Sequence, residues 1–569
     1  MMMCLRVFGL FALVANVCLP LTGLAQERNP ELLNSIPLKM EGDIASHLVE
    51  GVDKFLLREL ERSIEKRPQY WNRNFSSREA YEASIEPNRK RLAKILGVVD
   101  PRAANTEPQL MASVAKSSLV GRGNGFEIHT VSWPAFSDVN GYGLLLLPTD
   151  KPPVANVIAI PDCNTLPEQL AGLLPGVEPK AQYARRLAES GCRVLVPMLI
   201  NRKEKLPQLS NREWLYRSAF EMGRGLNGYE VQKVLAAVDW FSSDQQPKIK
   251  TGVVGWGEGG LISLYAAALD SRIDSTCVSG YFDSRQNIWQ EPLDRNVFGL
   301  LQQFGDAELA SMILPRALVI EACRGPEAKI PGGRGAPARV GTPDLSDVRA
   351  ETERARKLVV GFNPAPNVEL VISGVNGNGP TGSKQALQSF LTSLSAETTL
   401  PSQSQLLENL LTDDFSSEFV HAKQMYELDR HTQRLLEEGQ YVRQKKTMGQ
   451  FDFTSLEAYE KSSKPVRQNF HDDVIGRFIN EPLAARPRAR KFQESEKWTC
   501  YEVVLDVYPD VMAYGLLLVP KNLKPGEKRP VVVCQHGLEG RPQHTIGAEG
   551  AHYYSAFSAK LAERGFVTF

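Results

Sequence analysis

The sequence predicts an α/β fold with a doubly wound, mostly parallel sheet, present twice in a chain of 569 residues, the second instance incomplete and each preceded by a helical extension. Three observations carry this. Strand-like apolar runs alternate with helical patterns, as a layered α/β architecture requires. The middle runs are near-continuous and β-branched, the mark of parallel strands buried on both faces. The whole pattern then recurs, and a repeat this long is a duplicated unit rather than a solenoid.

Taken in order, residues 1–25 read as a secretory signal peptide: Arg6, an apolar run, then Gly23 and Ala25 at the −3 and −1 positions of a cut after Ala25. The expected destination is secreted or periplasmic. No later segment is long and apolar enough to span a bilayer, so no membrane contact is expected after cleavage. Residues 26–125 form a helical extension, with "FLLRELERSIEKRPQYW" placing apolar residues at helical spacing and acid–base pairs opposite. Residues 126–398 hold the first sheet, with strands at "EIHTVSW", "GYGLLLLP", "ANVIAIPD", "CRVLVPM", "TGVVGW", "DSTCVSGY", "RALVIEAC" and "NVELVISG". The first two, joined by "PAFSDV", suit an antiparallel hairpin at one edge. Residues 399–497 are a linker and a second helical extension, and 498–569 start the sheet again through its first four strands.

The repeat fixes the register. "VNGYGLLLLP" (Val139–Pro148) returns as "VMAYGLLLVP" (Val511–Pro520), "REAYEASIEPNRKRL" from Arg78 as "LEAYEKSSKPVRQNF" from Leu456, and "YARRLAESGCRVLVP" from Tyr183 as "FSAKLAERGFVTF" from Phe557. The second copy stops at a strand that lies mid-sheet in the first. A sheet ending there leaves ladder groups uncovered. The expectation is a C-terminally truncated piece of a longer protein whose two copies pack against each other.

Lysine plus arginine balance aspartate plus glutamate at 66 each, which argues against a broad nucleic-acid surface. Past residue 25 the cysteines (Cys163, Cys192, Cys277, Cys323, Cys500 and Cys534) are scattered without C-x-x-C spacing. No metal site is predicted; buried free thiols are expected, with disulfides left open.

The stretch "KTGVVGWGEGGLISLYAAALD" carries the chemistry question. Gly255, Gly257 and Gly260 spell G-x-G-x-x-G between a strand and a helix, with Asp283 placed after the next strand to face a ribose. Four strands precede it, whereas that fingerprint normally opens its fold. Read as G-x-S-x-G, the same turn is a nucleophile elbow with Gly257 at the apex. "GNGPTGSK" mimics a phosphate loop but inverts the required G-K-[ST] order, and "KIPGGRGAPARVGTPD" reads as a disordered excursion.

The second copy decides between the two. Its third strand leads through "RPVVVCQHGLEGRPQH" into His536-Gly537 and a glycine loop. With "GWGEGG" on the fifth strand, the chain resembles the α/β-hydrolase superfamily, closest to secreted bacterial dienelactone-hydrolase and acetyl-xylan-esterase-like proteins. The resemblance implies acyl transfer by serine attack, an acyl-enzyme and its hydrolysis. It implies an oxyanion loop at Gln535, His536, Gly537 and Leu538, an ester or acetylated-polysaccharide substrate, and no cofactor. Three departures mark the first copy as a pseudo-hydrolase. Gly257 has no nucleophilic atom. Asp162-Cys163 stand where the second copy has His536-Gly537. The base loop "SGVNGNGPTGSKQ" has no histidine, and of the eight in the chain none lies between His129 and His421. Glu321 and Glu327 are vestigial acid candidates. The second copy is then the active esterase of the intact protein, its triad lying past Phe569, and the fragment itself is expected to be inactive. A non-catalytic binding or scaffolding role, and a nucleotide-binding oxidoreductase, remain alternatives.

Overall fold

The computed structural model describes residues 32 and 34–569, apart from 106, 115, 244–248, 331–336, 395–399, 402–405, 413–415, 539 and 548–550. The predicted signal peptide lies outside the described residues, as does part of the predicted excursion after Lys329. The chain gathers into two compact units, one of residues 59–477 and one of residues 1–58 with 478–569.

The larger unit is built on strands β1 (Leu119–Gly123), β2 (Phe126–Phe136), β3 (Val139–Pro148), β4 (Asn156–Ile160), β5 (Arg193–Pro197), β6 (Thr251–Trp256), β7 (Ser275–Ser279), β8 (Ala317–Ala322) and β9 (Val368–Ile372). Their spatial order is β9-β8-β7-β6-β4-β5-β3-β2-β1. From β5 through β9 neighbours run parallel; β5/β3, β3/β2 and β2/β1 are antiparallel. All eight predicted strands of the first copy are present, and the hairpin turns at Ser137 and Asp138. The sheet also continues past the hairpin. β1 pairs with β2, and Glu408–Asn409 pairs with β1. His129, expected at the edge, therefore lies on a strand with β1 and then Glu408–Asn409 outside it. β1 escaped the sequence reading because its "LVGRG" has only two large apolar residues and two glycines.

Helices α1 (Arg78–Leu96), α2 (Tyr183–Glu189), α3 (Asn211–Glu221), α4 (Leu226–Ser243), α5 (Glu258–Leu269), α6 (Asp306–Ile313), α7 (Leu345–Leu358) and α8 (Lys384–Ser393) supply the layers around the sheet. One core joins α1, α4, α5 and α6 to one set of strand side chains. A second joins α2 and α8 to the opposite set. β4 is buried along its whole length, as its "NVIAI" requires. α9 (Ser417–Lys446), read above as the lead-in to the second copy, packs within this unit. Its Glu427 accepts the Tyr142 hydroxyl at 2.6 Å and the Asn140 N–H at 3.0 Å, and its Gln424 accepts Lys233 Nζ at 2.8 Å. α10 (Leu456–Asn469) follows; Ser455 caps it as Ser77 caps α1.

The smaller unit has β10 (Arg488–Glu494), β11 (Trp498–Tyr508), β12 (Val511–Pro520), β13 (Val531–Val532) and β14 (Val567–Thr568), with α11 (Phe557–Glu563) between the last two. Their order is β10-β11-β12-β14-β13, with Ile36–Pro37 alongside β10. β11/β12 and β12/β14 are antiparallel and β13/β14 parallel. The same succession of senses runs through β2, β3, β5 and β4 of the larger unit. No described helix is long and apolar enough to cross a membrane.

Candidate functional site

The glycine turn sits at the carboxyl end of β6, where an open parallel sheet offers its crevice. Gly257 has φ 58° and ψ −116°, outside the left-handed helical basin, and starts α5. Its neighbours need to be glycine for want of space. A Cβ on Gly255 would lie 2.1 Å from the Gly259 carbonyl oxygen, and one on Gly259 would lie 2.1 Å from that of Ile160. The sharp strand-to-helix turn has the shape of a nucleophile elbow, and glycine at its apex relieves the strain a side chain would feel there.

The apex is filled. A Cβ on Gly257 would sit 2.6 Å from Pro326 Cγ and 2.9 Å from Asp162 Oδ1. In an elbow the N–H after the apex faces the developing oxyanion. Here the Glu258 N–H donates to Asp162 Oδ1 at 3.2 Å, while Asp162 Oδ2 accepts the Asn164 N–H at 3.0 Å. The loop after β4 therefore places a fixed carboxylate on the N-terminus of α5, a favourable site for negative charge.

Glu258 is fully buried. Burial alone would push its carboxyl up, but Arg202, Arg295 and Arg212 outweigh it and hold it well below the usual range. Its Oε2 accepts Arg202 at 2.8 Å and Arg295 at 2.8 and 3.0 Å. Arg212 joins Asp294 at 2.6 Å and Glu230 at 2.9 Å, and Arg202 also reaches Asp294 at 3.0 Å. These side chains come from the loop after β5, from α3, α4 and α5, and from the segment after β7. No spacing in the sequence announces them, since apart from the neighbours Asp294 and Arg295 they come from different elements. Cys163 is buried, which pushes its thiol well up, and Arg202 Nη1 lies 2.9 Å from its sulfur. Donor atoms of Asp162, Cys163 and Glu258 lie within 4.8 Å of one another, a spacing a metal ion tolerates. The guanidinium groups already holding Glu258 repel a cation there, so the residues do not fit one.

Of the vestigial acid candidates, Glu321 is buried at the end of β8. It accepts the Ser279 hydroxyl at 2.6 Å, the Gly382 N–H at 2.9 Å and the Ser383 N–H at 2.8 Å. It ties down the loop where a base would stand. Glu327 is exposed. The placement of His421 was not legible in sequence: α9 brings it to the loop after β5. Its Nε2 accepts the Asn201 N–H at 3.1 Å. Burial, with Lys233, Lys203 and Lys205, pushes it down to about 4.

In the smaller unit the loop predicted for the oxyanion is open. Gln535 is exposed and Leu538 fully so. The Gly537 N–H donates to the Tyr554 hydroxyl at 2.9 Å, and His536 Nδ1 lies 2.8 Å from the Gly537 carbonyl oxygen. The structure holds all six cysteines past residue 25 as free thiols.

Sheet order, elbow and the loop after β4 together define an α/β-hydrolase-like fold. No protein-family profile matches the chain. A Bacillus subtilis protein named as a hydrolase, YtaP, is 32% identical over 111 residues, which cover 18% of this chain and 36% of that protein; the match thus spans about a third of the relative's length. Among solved structures, a Bacteroides fragilis protein described as an acetyl xylan esterase aligns at 14% identity and a TM-score of 0.42, covering 65% of this chain and 94% of that one. A glucuronoyl esterase from Solibacter usitatus aligns at 12% identity and a TM-score of 0.40, covering 56% and 94%.

Proposed function

We propose that the chain is an exported member of the ester-hydrolase group in which residues 59–477 are a catalytically silent hydrolase unit, and residues 498–569 belong to a second copy that carries the ester chemistry. The observation that supports silence is the double occupancy of the elbow by Asp162 and Pro326. A serine esterase needs a hydroxyl at the apex, a free N–H behind it and a base within reach. The apex has no side chain, the N–H is taken, and the loop after β9 offers no histidine. The buried arginine–carboxylate cluster replaces a reaction centre with a structural one. The two-copy reading is supported by the matching succession of strand senses in β10–β14. The substrate class, an ester such as an acetylated polysaccharide, rests on the sequence resemblance.

Hydrolysis of p-nitrophenyl acetate by the full chain tests the reading. No turnover above the uncatalysed rate is expected. Saturable turnover abolished by a serine-directed inhibitor overturns it.

A further inference from the structure

The sheet of the larger unit ends differently on its two sides. On one side Glu408–Asn409 closes it, two exposed residues with Glu408 opposite Arg122. A short, charged last strand is a common guard against pairing with another chain. On the other side β9, "VELVI", is the last strand among the described residues and carries no lysine or proline. β8 runs parallel to it, and the Ser373 N–H donates to the Ala322 carbonyl at 2.8 Å. Alternation along the strand then turns the main-chain groups of Glu369 and Val371 toward β8 and those of Val368, Leu370 and Ile372 outward. Arg356 Nη2 donates to the outward Val368 carbonyl at 2.7 Å. Leu370 and Ile372 still offer both N–H and C=O to a further strand.

Those groups suit the strand itself. In an antiparallel ladder a hydrogen-bonded pair exchanges both N–H···O bonds, so each member needs both groups free. A second β9 laid antiparallel and centred on Val371 sets Leu370 of each copy opposite Ile372 of the other, and both pairs are satisfied. Centring on Leu370 instead sets Ile372 against the Val368 carbonyl that Arg356 already holds. The Val371 register also gathers Leu370 and Ile372 of both copies on one face as cross-strand and diagonal neighbours. Ile372 is 36% exposed and Val375, just past the strand, 82%. Two-fold pairing closes the edge of both sheets, whereas a foreign strand leaves its own outer edge open. We infer that the edge of β9 is a docking surface for a second copy of this chain, the two sheets joining antiparallel about Val371.

Sedimentation velocity of the full chain reads the dimer. Across about 1–100 μM, the range of a small interface, the mean mass rises toward twice that of the monomer. Over the same titration the Leu370 and Ile372 amides slow in hydrogen exchange and the Val368 amide does not. I372K keeps every backbone donor but sets two ammonium groups on diagonal neighbours, and it raises the dissociation constant at least about ten-fold. The exchange pattern is read on the parent chain and stands whatever the substitution does to folding. A chain that stays monomeric through that range overturns the inference. So does a dimer that I372K leaves intact, which places the contact on another surface. Slowing of the Val368 amide along with the other two overturns the register about Val371. Ester turnover by the chain bears on the silent-unit reading and leaves these outcomes untouched.

Discussion

Placing a hydroxyl where the elbow lacks one is the direct test of how far the larger unit stands from catalysis. In Gly257→Ser the new Cβ meets Pro326 Cγ at 2.6 Å and Asp162 Oδ1 at 2.9 Å before either shifts. Holding a non-glycine residue at φ 58° and ψ −116° adds strain. Backbone strain of this kind is worth about 1–3 kcal/mol and overpacking of a tight interior about 1–3 kcal/mol, so the variant loses roughly 2–6 kcal/mol. At about 2 °C per kcal/mol for a large domain, the calorimetric midpoint falls by roughly 4–12 °C. The hydroxyl also gains no function, because the Glu258 N–H remains bound to Asp162. Scanning calorimetry and p-nitrophenyl acetate hydrolysis on one preparation read both outcomes. A midpoint within about 1 °C of the parent, together with new saturable turnover, refutes the account of a filled apex.

Three further outcomes follow from the same geometry. Arg212→Met strips the buried Glu230, Glu258 and Asp294 of a shared partner and costs about 3–5 kcal/mol by urea denaturation; a loss under about 1 kcal/mol contradicts the cluster's structural role. Burial pushes the Glu168 carboxyl up to about 7, above its unfolded value, so its contribution is intact below pH 4.5 and is lost as pH rises through 7. Glu168→Gln therefore narrows the stability difference between pH 5 and pH 8 by up to about 3 kcal/mol, and an unchanged difference argues against a desolvated carboxylate. Glu321→Ala releases the Gly382 and Ser383 N–H groups, and limited proteolysis is expected to cut within residues 373–383 faster than in the parent.

The sheet was legible because parallel strands leave a strong trace. β4 and β6–β8 are runs of β-branched and small residues with turns between, and each falls where predicted. β1 is short and glycine-rich, and its pairing is a tertiary fact. The elbow was legible because glycines at 255, 257 and 259 are forced by local crowding that the spacing itself encodes. Asp162 was legible as a departure at the loop after β4, but the charged cluster behind the elbow was not. Arg202, Arg212 and the pair Asp294–Arg295 converge from a loop, a helix and the segment after β7, and a charged residue carries no mark of burial in the sequence. His421 shows the same limit. It lies in a helix that the sequence reading placed in the extension before the second copy, yet it accepts a backbone N–H from the loop after β5.

The Asp162 carboxylate also ties the stability of the larger unit to the glycine turn. Once it caps α5, removing it alone leaves the Glu258 N–H without its acceptor, at about 1–3 kcal/mol. Adding a serine alone strikes Pro326 and Asp162. On the silent-unit reading proposed above, each single change toward a serine esterase lowers stability before it can add activity.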